Sequence, residues 1–280
     1  MKKEKLYNVW FWIVLLTLLG LILRIVCCFW GYPYRLHPDE PSVVENTLDM
    51  IGRQSWEANV YNRPDQFEIK SCVFLFQIFS RLIYHLPPTD AYTDHMITFY
   101  LIARIYTAVL GAAMIPLSVV LNKLLFINSQ LNVKKIQIFT AILISVSPTL
   151  TIHSSYATPD IPLAFLIMLF AVFFIKYMRS GSLSDIALCA VATGLAIATK
   201  YPGAILCVFI AIAVIYRSIK EHKTKKIFSY GALSIVLVLV TVFFLAPNLF
   251  TNIRTTIRTI HLEARSEHLG SDGLGFGGNL

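Results

Sequence analysis

Seven long apolar runs fill most of this sequence, and they constrain its fold more than any other feature. A helix needs about 20 apolar residues to cross a hydrocarbon core of roughly 30 Å. Ala, Val, Ile, Leu, Met, Phe, Trp, Tyr and Cys together make up 56% of the 280 residues, whereas charged residues make up only 14%. Soluble domains carry about 25% charged residues, which cover their surface. The sequence therefore predicts an all-α, multi-pass transmembrane helix bundle.

The predicted spans cover residues 7–30, 97–121, 136–152, 161–177, 186–199, 202–216 and 227–250. The fifth and sixth are short, but a single helix over residues 186–216 would be about 46 Å long, well beyond the bilayer core. We therefore expect two helices with a tight turn at Lys200. The bundle is predicted to occupy residues 1–250, and residues 251–280 an outer loop or tail. The glycine-rich stretch 270–278 favours a loop that leads to further spans beyond this chain.

The charge distribution predicts which side of the membrane each loop faces. The net charge is +8. With the N-terminus in the cytoplasm, basic residues concentrate in the inner segments, and the outer segments carry more acids than bases, which is the positive-inside pattern. Merging the fifth and sixth runs would move the basic segment 217–226 outside. Topology thus explains the positive charge, and nucleic acid is not an expected partner.

The first outer loop, at residues 31–96, is much longer than the others and has room for two helices. A helix is predicted at 41–51, where Pro41 suits the first turn. A second is predicted at 71–86, where Gln77, Arg81 and His85 recur at four-residue spacing and favour a helix that lies in the membrane interface. The alternative for this second helix is an eighth span, which would reverse every later loop and spoil the charge pattern.

Polar residues converge on the outer side in this topology. They are His37, Asp39, Glu40, Asp160, Lys200, Tyr201, Glu263, Glu267 and His268. Simpler roles stay open for several of these residues. A carboxylate at Asp39, Glu40 or Asp160 would cap a helix, and Lys200 would be an interfacial anchor. His37 and His268 lack the paired spacing of metal ligands.

Two arginines lie within predicted spans. A charge inside a span is costly and usually faces a polar cavity or a partner. Arg24 lies near the outer end of the first span and is able to reach the interface. Arg104 lies about two turns inside the second span and has no such explanation.

Acids and cations at the depth of a lipid headgroup suit glycosyl transfer from a lipid-linked phosphate. The leaving group is a stable phosphate, so no general acid is needed, but its growing negative charge needs Arg, Lys or a metal ion nearby. The acceptor hydroxyl needs a carboxylate within hydrogen-bond reach to take its proton. An in-line attack on the anomeric carbon would invert it.

A series of short motifs follows the predicted spans in order. They are Arg24, His37-Pro38-Asp39-Glu40, Ala103-Arg104, Ser147-Pro148, Tyr156-Ala157-Thr158-Pro159-Asp160, Gly194-Leu195-Ala196, Thr199-Lys200-Tyr201 and Ala246-Pro247-Asn248. In this order the chain resembles the GT-C membrane glycosyltransferases. It is most similar to the protein O-mannosyltransferase-like group (glycosyltransferase family 39) and the related aminoarabinose transferases.

The resemblance implies a donor and a set of site residues. The donor is expected to be a polyprenyl- or dolichyl-phosphate sugar. Asp39 takes the place of the catalytic base, Glu40 supports Asp39 or the acceptor, and Asp160 is a second active-site carboxylate. The residues assigned to the donor phosphate by position are Arg104, Lys200, Tyr201 and Arg24. A divalent cation, Mg²⁺ or Mn²⁺, stays open as a cofactor, because metal dependence varies among such enzymes.

The sequence as a whole predicts an inverting hexosyl- or pentosyltransferase of the non-cytoplasmic membrane face. Its expected partners are the lipid-linked sugar donor, an acceptor protein or glycolipid, and membrane lipids. Two other classes stay open: a transporter or flippase for an anionic lipid or solute, and a structural membrane subunit. The absence of a recognisable targeting signal favours a bacterial plasma membrane.

Overall fold

The structure is a computed structural model that describes residues 9–35, 37–61 and 63–263. This part of the chain is all-helical and contains no strand, which confirms the predicted fold class. Its α-helices are α1 (Val9–Cys28), α2 (Glu40–Gly52), α3 (Gln66–Phe79), α4 (Pro88–Phe126), α5 (Val133–Val146), α6 (Pro148–His153), α7 (Asp160–Ser180), α8 (Leu183–Thr199), α9 (Leu206–Lys220), α10 (Lys225–Leu245), α11 (Asn248–Thr251) and α12 (Ile253–Glu263). Glu267, His268, the stretch 270–278 and the Glu263 side chain lie outside the described part.

Helix α1 shows how the bundle is adapted to lipid. Its Arg24 side chain is fully buried, whereas Phe11, Leu18 and Ile22 on the same helix are 52–61% exposed. A soluble helix would have the reverse arrangement, because burial of apolar area stabilises a fold in water. The apolar outer surface of α1 is therefore suited to lipid contact.

Five helical segments of the described chain are long and apolar enough to cross a membrane. They are Val9–Cys28, Pro88–Phe126, Asp160–Ser180, Tyr201–Lys220 and Lys225–Leu245. Helix α8 has 17 residues and α5 has 14, so both fall short of a full crossing by length. The separate α8 and α9 confirm the predicted turn at Lys200, where a short 3₁₀ segment, Tyr201–Ile205, connects them. The count of seven spans stays a prediction.

Two predicted runs differ from the observed helices. The run 136–152 is divided into α5 and α6 at Pro148, because proline has no backbone N–H to continue the helix. Helix α4 begins at Pro88, nine residues before the predicted start, and its backbone kinks at His95. Proline is favourable in a first helical turn, where an N–H would lack a partner.

The two predicted helices of the first outer loop are present. Helix α2 matches the prediction at 41–51. Helix α3 begins five residues before the predicted start and ends in a wide turn at Ser80–Tyr84. Its 14 residues span only about 21 Å, so α3 itself is too short to be an eighth span. Phe76 on α3 is fully buried against the bundle, while Ile78 is 59% exposed.

The largest apolar core joins α7, α8, α9 and α10. The small residues of α8 permit its close approach to α10: a Cβ atom on Gly194 would lie 2.5 Å from the Thr241 Cβ. Ala190 and Ala198, at four-residue spacing on either side, are fully buried. These small residues form a close-packing face on α8.

Candidate active site

The first outer loop is bound to the ends of several helices at one end of the bundle. The hydrogen bonds run from Trp56 Nε1 to the Phe244 carbonyl (2.7 Å), from Tyr201 Oη to the Tyr61 carbonyl (2.6 Å), from Asn248 Nδ2 to the Val60 carbonyl (2.9 Å), and from the Asp65 N–H to the Thr199 carbonyl (3.1 Å). Because α8 and α10 both end here, residues distant in sequence are brought to the same face.

Glu40 and Arg104 form a buried ion pair at this end. The Arg104 Nε and Nη2 groups each donate to a different Glu40 oxygen at 2.7 Å. Arg104 Nη1 donates to the carbonyls of Cys28 and Trp30 at 3.0 Å, and the Ala157 N–H donates to Glu40 Oε1 at 3.0 Å. Arg104 is 2% exposed and Glu40 is fully buried. The pair connects α1, α2, α4 and the segment before α7, and in this arrangement Arg104 offers almost no surface to a lipid phosphate.

Arg24 donates hydrogen bonds to residues on both sides of the break between α5 and α6. Its Nη2 group donates to the Ile144 carbonyl at 2.9 Å, and its Nε group donates to Ser154 Oγ at 3.2 Å. The Ile144 carbonyl would normally accept from residue 148, but Pro148 has no N–H to donate. Arg24 thus satisfies a carbonyl that the proline leaves free, as buried backbone groups in a membrane require.

Gly111 of α4 makes room for this contact. A Cβ atom at Gly111 would lie 2.1 Å from Ser154 Oγ and 3.0 Å from Arg24 Nε. Only a residue without a side chain allows α4 to approach so closely. Arg24 is fully buried as a result, and it does not reach the outer surface.

Asp39 lies at the N-terminus of α2 and is accessible. Its carboxylate is 49% exposed, and Oδ2 lies 3.1 Å from Arg63 Nη1. Arg63 Nε donates to Asp65 Oδ2 at 2.9 Å, and the Asp65 carboxylate is fully buried. Burial raises the pKa of Asp65 to about 6, against the opposing influence of the Arg63 charge. One arginine therefore joins an exposed and a buried carboxylate.

Asp160 and Lys200 form a second accessible ion pair. Lys200 Nζ lies 2.8 Å from Asp160 Oδ1, and the two side chains are 34% and 46% exposed. Asp160 begins α7 and also lines a groove of about 310 Å³ with His153 of α6. Tyr201, next to Lys200, is half-buried and bound to the outer loop through its hydroxyl group. An accessible cation thus lies beside an accessible carboxylate and a groove.

The predicted site residues therefore fall into two groups. Asp39, Asp160 and Lys200 are accessible at one end of the bundle, whereas Arg24 and Arg104 are buried among helices. Glu40 connects the groups, because it adjoins Asp39 and binds the segment that leads to Asp160. The Lys200 charge also lowers the pKa of Asp65, so the two ion pairs are electrostatically coupled.

Residues at the start of α3 complete the polar cluster and were not among the predicted site residues. Glu68 is fully buried and accepts from Thr107 Oγ1 at 3.0 Å. Burial raises the pKa of Glu68 well above its usual value, which favours the neutral form of its carboxyl group. Gln66 is fully buried, and neither of its amide atoms has a partner among the described residues.

The sequence contains a signal for this polar cluster, a run of charged residues before α3. Arg63, Asp65, Glu68 and Lys70 place four charged residues within eight positions, directly before the apolar part of α3. A charge run of this kind is usually a solvated surface. Here the chain folds back under the loop, so Asp65, Glu68 and Lys70 are buried.

His37 contacts an aromatic ring. Its ring centroid lies 4.4 Å from that of Tyr156, and its Nδ1 atom accepts from the Asp39 N–H at 3.3 Å. Across the described residues, no three His, Cys, Asp or Glu side chains come together in a way that could hold a metal ion. The described part of the site thus consists of cations paired with carboxylates, and a divalent cation stays an expectation from the resemblance.

A comparison with known protein families shows to which family the chain belongs. The model of the dolichyl-phosphate-mannose-protein mannosyltransferase family matches residues 94–245, just over half of the 280 residues. The chain belongs to this family. No curated protein matches it.

Membership in the dolichyl-phosphate-mannose-protein mannosyltransferase family defines the general activity. The chain is an integral membrane glycosyltransferase that depends on a lipid-phosphate sugar, with membrane lipids around it. The match runs from just before the α4 kink to the end of α10, so it includes Arg104, Asp160 and Lys200. Asp39, Glu40 and Arg24 lie before the matched residues, and their roles rest on geometry and on the resemblance of the motifs.

Proposed function

We propose that the chain moves a sugar from a polyprenyl- or dolichyl-phosphate donor to an acceptor hydroxyl on the non-cytoplasmic face of the membrane, with inversion at the anomeric carbon. One observation carries this proposal. Two accessible carboxylates, Asp39 and Asp160, each lie beside a cation at the end of the bundle where the outer loop meets the helix ends. Such a site offers a proton acceptor and a positive charge within one region.

In the proposed reaction Asp39 is the general base. The acceptor oxygen attacks the anomeric carbon from the side opposite the phosphate, and its proton passes to the Asp39 carboxylate. The bond from the anomeric carbon to the phosphate oxygen breaks, and its electron pair stays on the lipid phosphate. A single displacement of this kind inverts the anomeric carbon. The exposure of Asp39 allows an acceptor hydroxyl to reach it.

Lys200 is the proposed cation for the donor phosphate. It is one-third exposed and lies at the outer end of α8, whereas Arg24 and Arg104 are buried and saturated with other acceptors. Asp160 orients Lys200 through their ion pair, and Tyr201 anchors the same turn to the outer loop. For Arg24 and Arg104 we therefore propose structural roles, in place of the predicted contacts with phosphate. Glu40 supports Asp39 by fixing the first turn of α2.

The proposed orientation places the N-terminus in the cytoplasm. The basic residues at the turn between α9 and α10 support it, because basic loops stay on the cytoplasmic side. The site then faces away from the cytosol. We expect the acceptor to be a protein or a glycolipid, and the membrane to be a bacterial plasma membrane.

The proposal is tested with the purified chain in proteoliposomes. Radiolabelled dolichyl- or undecaprenyl-phosphate mannose is supplied as donor, and a membrane extract as the source of acceptors. We expect sugar transfer, and we expect Asp39→Asn to reduce it about 100-fold or more, as loss of a general base does. Asp49→Asn is the matched control, since Asp49 lies on the same helix in an exposed pair with Arg53.

Two results would contradict the proposal. Undiminished transfer by Asp39→Asn would remove Asp39 as the base. Movement of a lipid or solute across the vesicle membrane, with no transfer from either donor, would instead favour a transporter. Analysis of the anomeric configuration of the product tests the inversion separately.

A further inference from the structure

Arg63 bridges two carboxylates that lie at different depths. Its Nη1 group lies 3.1 Å from Oδ2 of the exposed Asp39, and its Nε group donates at 2.9 Å to Oδ2 of the buried Asp65. Arg63 itself is 22% exposed. Because the planar guanidinium has donors at fixed angles, it can fix the direction of both carboxylates at once.

Asp65 is held firmly on the buried side. Its backbone lies in the left-handed region, with φ of 48°, which is uncommon for residues other than glycine. Its N–H donates to the Thr199 carbonyl at 3.1 Å, and its Oδ2 also accepts from Ser42 Oγ at 3.2 Å. Strained backbone persists where surrounding contacts over-determine it, and such positions concentrate at active sites.

We infer that Arg63 and Asp65 are positioning residues for the base: Asp65 fixes Arg63 from the buried side, and Arg63 fixes the Asp39 carboxylate. The inference rests on the proposed function, in which Asp39 accepts the proton of the acceptor. Arg63 contacts Asp39 at Oδ2, which leaves Oδ1 as the oxygen for the acceptor hydroxyl. Ser42, one turn after Asp39 on α2, adds a second connection between this helix and Asp65.

The other groups at this unit stay in place when Arg63 or Asp65 is replaced. His37 Nδ1 accepts from the Asp39 N–H at 3.3 Å. Lys200, the proposed cation for the donor phosphate, is paired with Asp160 and not with Arg63. Replacement of Arg63 or Asp65 therefore changes the direction of the Asp39 carboxylate and leaves the proposed phosphate contact unchanged.

The test compares kcat and the KM for the donor in two variants, corrected for the folded fraction. In Arg63→Gln the Asp39 carboxylate loses the group that fixes its direction, so kcat should fall about tenfold or more while the KM for the donor stays unchanged. In Asp65→Asn, Arg63 loses its buried partner, so kcat should fall in the same way but by less. A role in folding alone would lower the amount of folded protein and leave kcat per folded molecule unchanged. Arg63→Lys, which keeps the charge but not the fork, should restore kcat only in part.

The matched controls are Arg53→Gln and Asp49→Asn. They make the same chemical changes in an exposed ion pair of the same outer loop, and we expect wild-type kcat and KM from both. An unchanged kcat in Arg63→Gln and Asp65→Asn would overturn the inference. A higher KM for the donor with an unchanged kcat would also overturn it, by assigning Arg63 to the phosphate.

A second measurement needs no turnover. Water-soluble carbodiimide reacts with accessible carboxyl groups, so Asp39 labelling at a fixed pH, followed by mass spectrometry, should be faster in Arg63→Gln than in the wild type and unchanged in Arg53→Gln. Absence of sugar transfer in the wild type would refute the proposed function, while wild-type labelling of Asp39 in Arg63→Gln would refute the positioning role. If Arg63→Gln does not fold, Arg63→Lys and Asp65→Asn decide the labelling test.

Discussion

Arg104 binds Glu40 through two hydrogen bonds of 2.7 Å at a place where neither side chain is more than 2% exposed. Removing one partner of a buried ion pair leaves a buried charge without compensation and costs about 3–5 kcal/mol. We expect Glu40→Gln and Arg104→Gln to lower the free energy of unfolding by this amount, as measured by SDS titration in mixed micelles. Glu45→Gln, which breaks the exposed Arg35–Glu45 pair, should cost at most about 1 kcal/mol. Wild-type stability together with lost transfer in Glu40→Gln would mean that Glu40 takes part in the chemistry.

The contact of Arg24 with the α5–α6 break predicts coupling between two distant substitutions. Arg24→Ala leaves the Ile144 carbonyl without a donor, which costs about 1–3 kcal/mol. Pro148→Ala supplies an N–H that can bind the same carbonyl. The double variant should therefore be less destabilised than the sum of the single variants, by about 1 kcal/mol in a double-mutant cycle. Additive losses would show that Arg24 does not serve this carbonyl.

Two glycines in helices should respond to alanine in opposite ways. In Gly111→Ala the new methyl group would collide with Ser154 Oγ and Arg24 Nε, and overpacking of this kind costs about 1–3 kcal/mol. In Gly231→Ala no atom lies within 4 Å of the new Cβ, so the higher helix propensity of alanine should stabilise α10 by up to about 1 kcal/mol. Thermal unfolding in detergent measures both changes. Equal melting temperatures for the two variants would contradict the close packing at Gly111.

The buried carboxyl group of Glu68 predicts a pH-dependent stability. Because burial raises its pKa in the folded chain above the ordinary value of 4.5, the folded protein holds a proton that the unfolded chain has lost. Stability therefore falls as the pH rises above about 4.5. Glu68→Gln removes this loss, so its stability advantage over the wild type should grow between pH 5 and pH 8. Glu45→Gln is the exposed control, and an equal advantage at both pH values would refute the neutral carboxyl group.

The proposed orientation predicts the accessibility of two positions. In a cysteine-free background, Asp90→Cys at the start of α4 should react with a membrane-impermeant maleimide added from the non-cytoplasmic side. Lys223→Cys, in the turn between α9 and α10, should react only after the membrane is permeabilised. The reverse result would invert the topology and place Asp39 and Asp160 in the cytoplasm.

The positions of most helices follow from local signals in the sequence. Apolar length located the helices that are long enough to cross a membrane, and Pro41 marked the first turn of α2. Pro148 marks the break after α5, but the apolar residues on both sides of it favoured a single run. The early start of α4 was missed because Asp90, Asp94 and His95 interrupt residues 88–96, and the apolar run begins only at Ile97.

The pairing of charges could not be derived from spacing. Arg104 pairs with a glutamate 64 residues away, whereas the partners of Arg24 within the described ranges are backbone carbonyls and a serine hydroxyl group. Long-range partners of this kind depend on how the helices pack, and helix packing is not encoded in any local pattern. The same reason explains why Arg63 and Asp65 were missed: each looks like an ordinary surface charge until the loop is folded against α8.

Neutral hydrogen bonds to the Phe244 carbonyl and from the Asn248 side chain hold the stretch 56–60, although these partners come almost two hundred residues later in the chain. During synthesis, the loop that precedes Arg63 consequently lacks these anchors until α10 and α11 have left the ribosome. The end of the bundle with the proposed site is thus assembled late, and a nascent chain that stops short of α10 would carry Asp39, Asp160 and Lys200 without the framework that holds them in place.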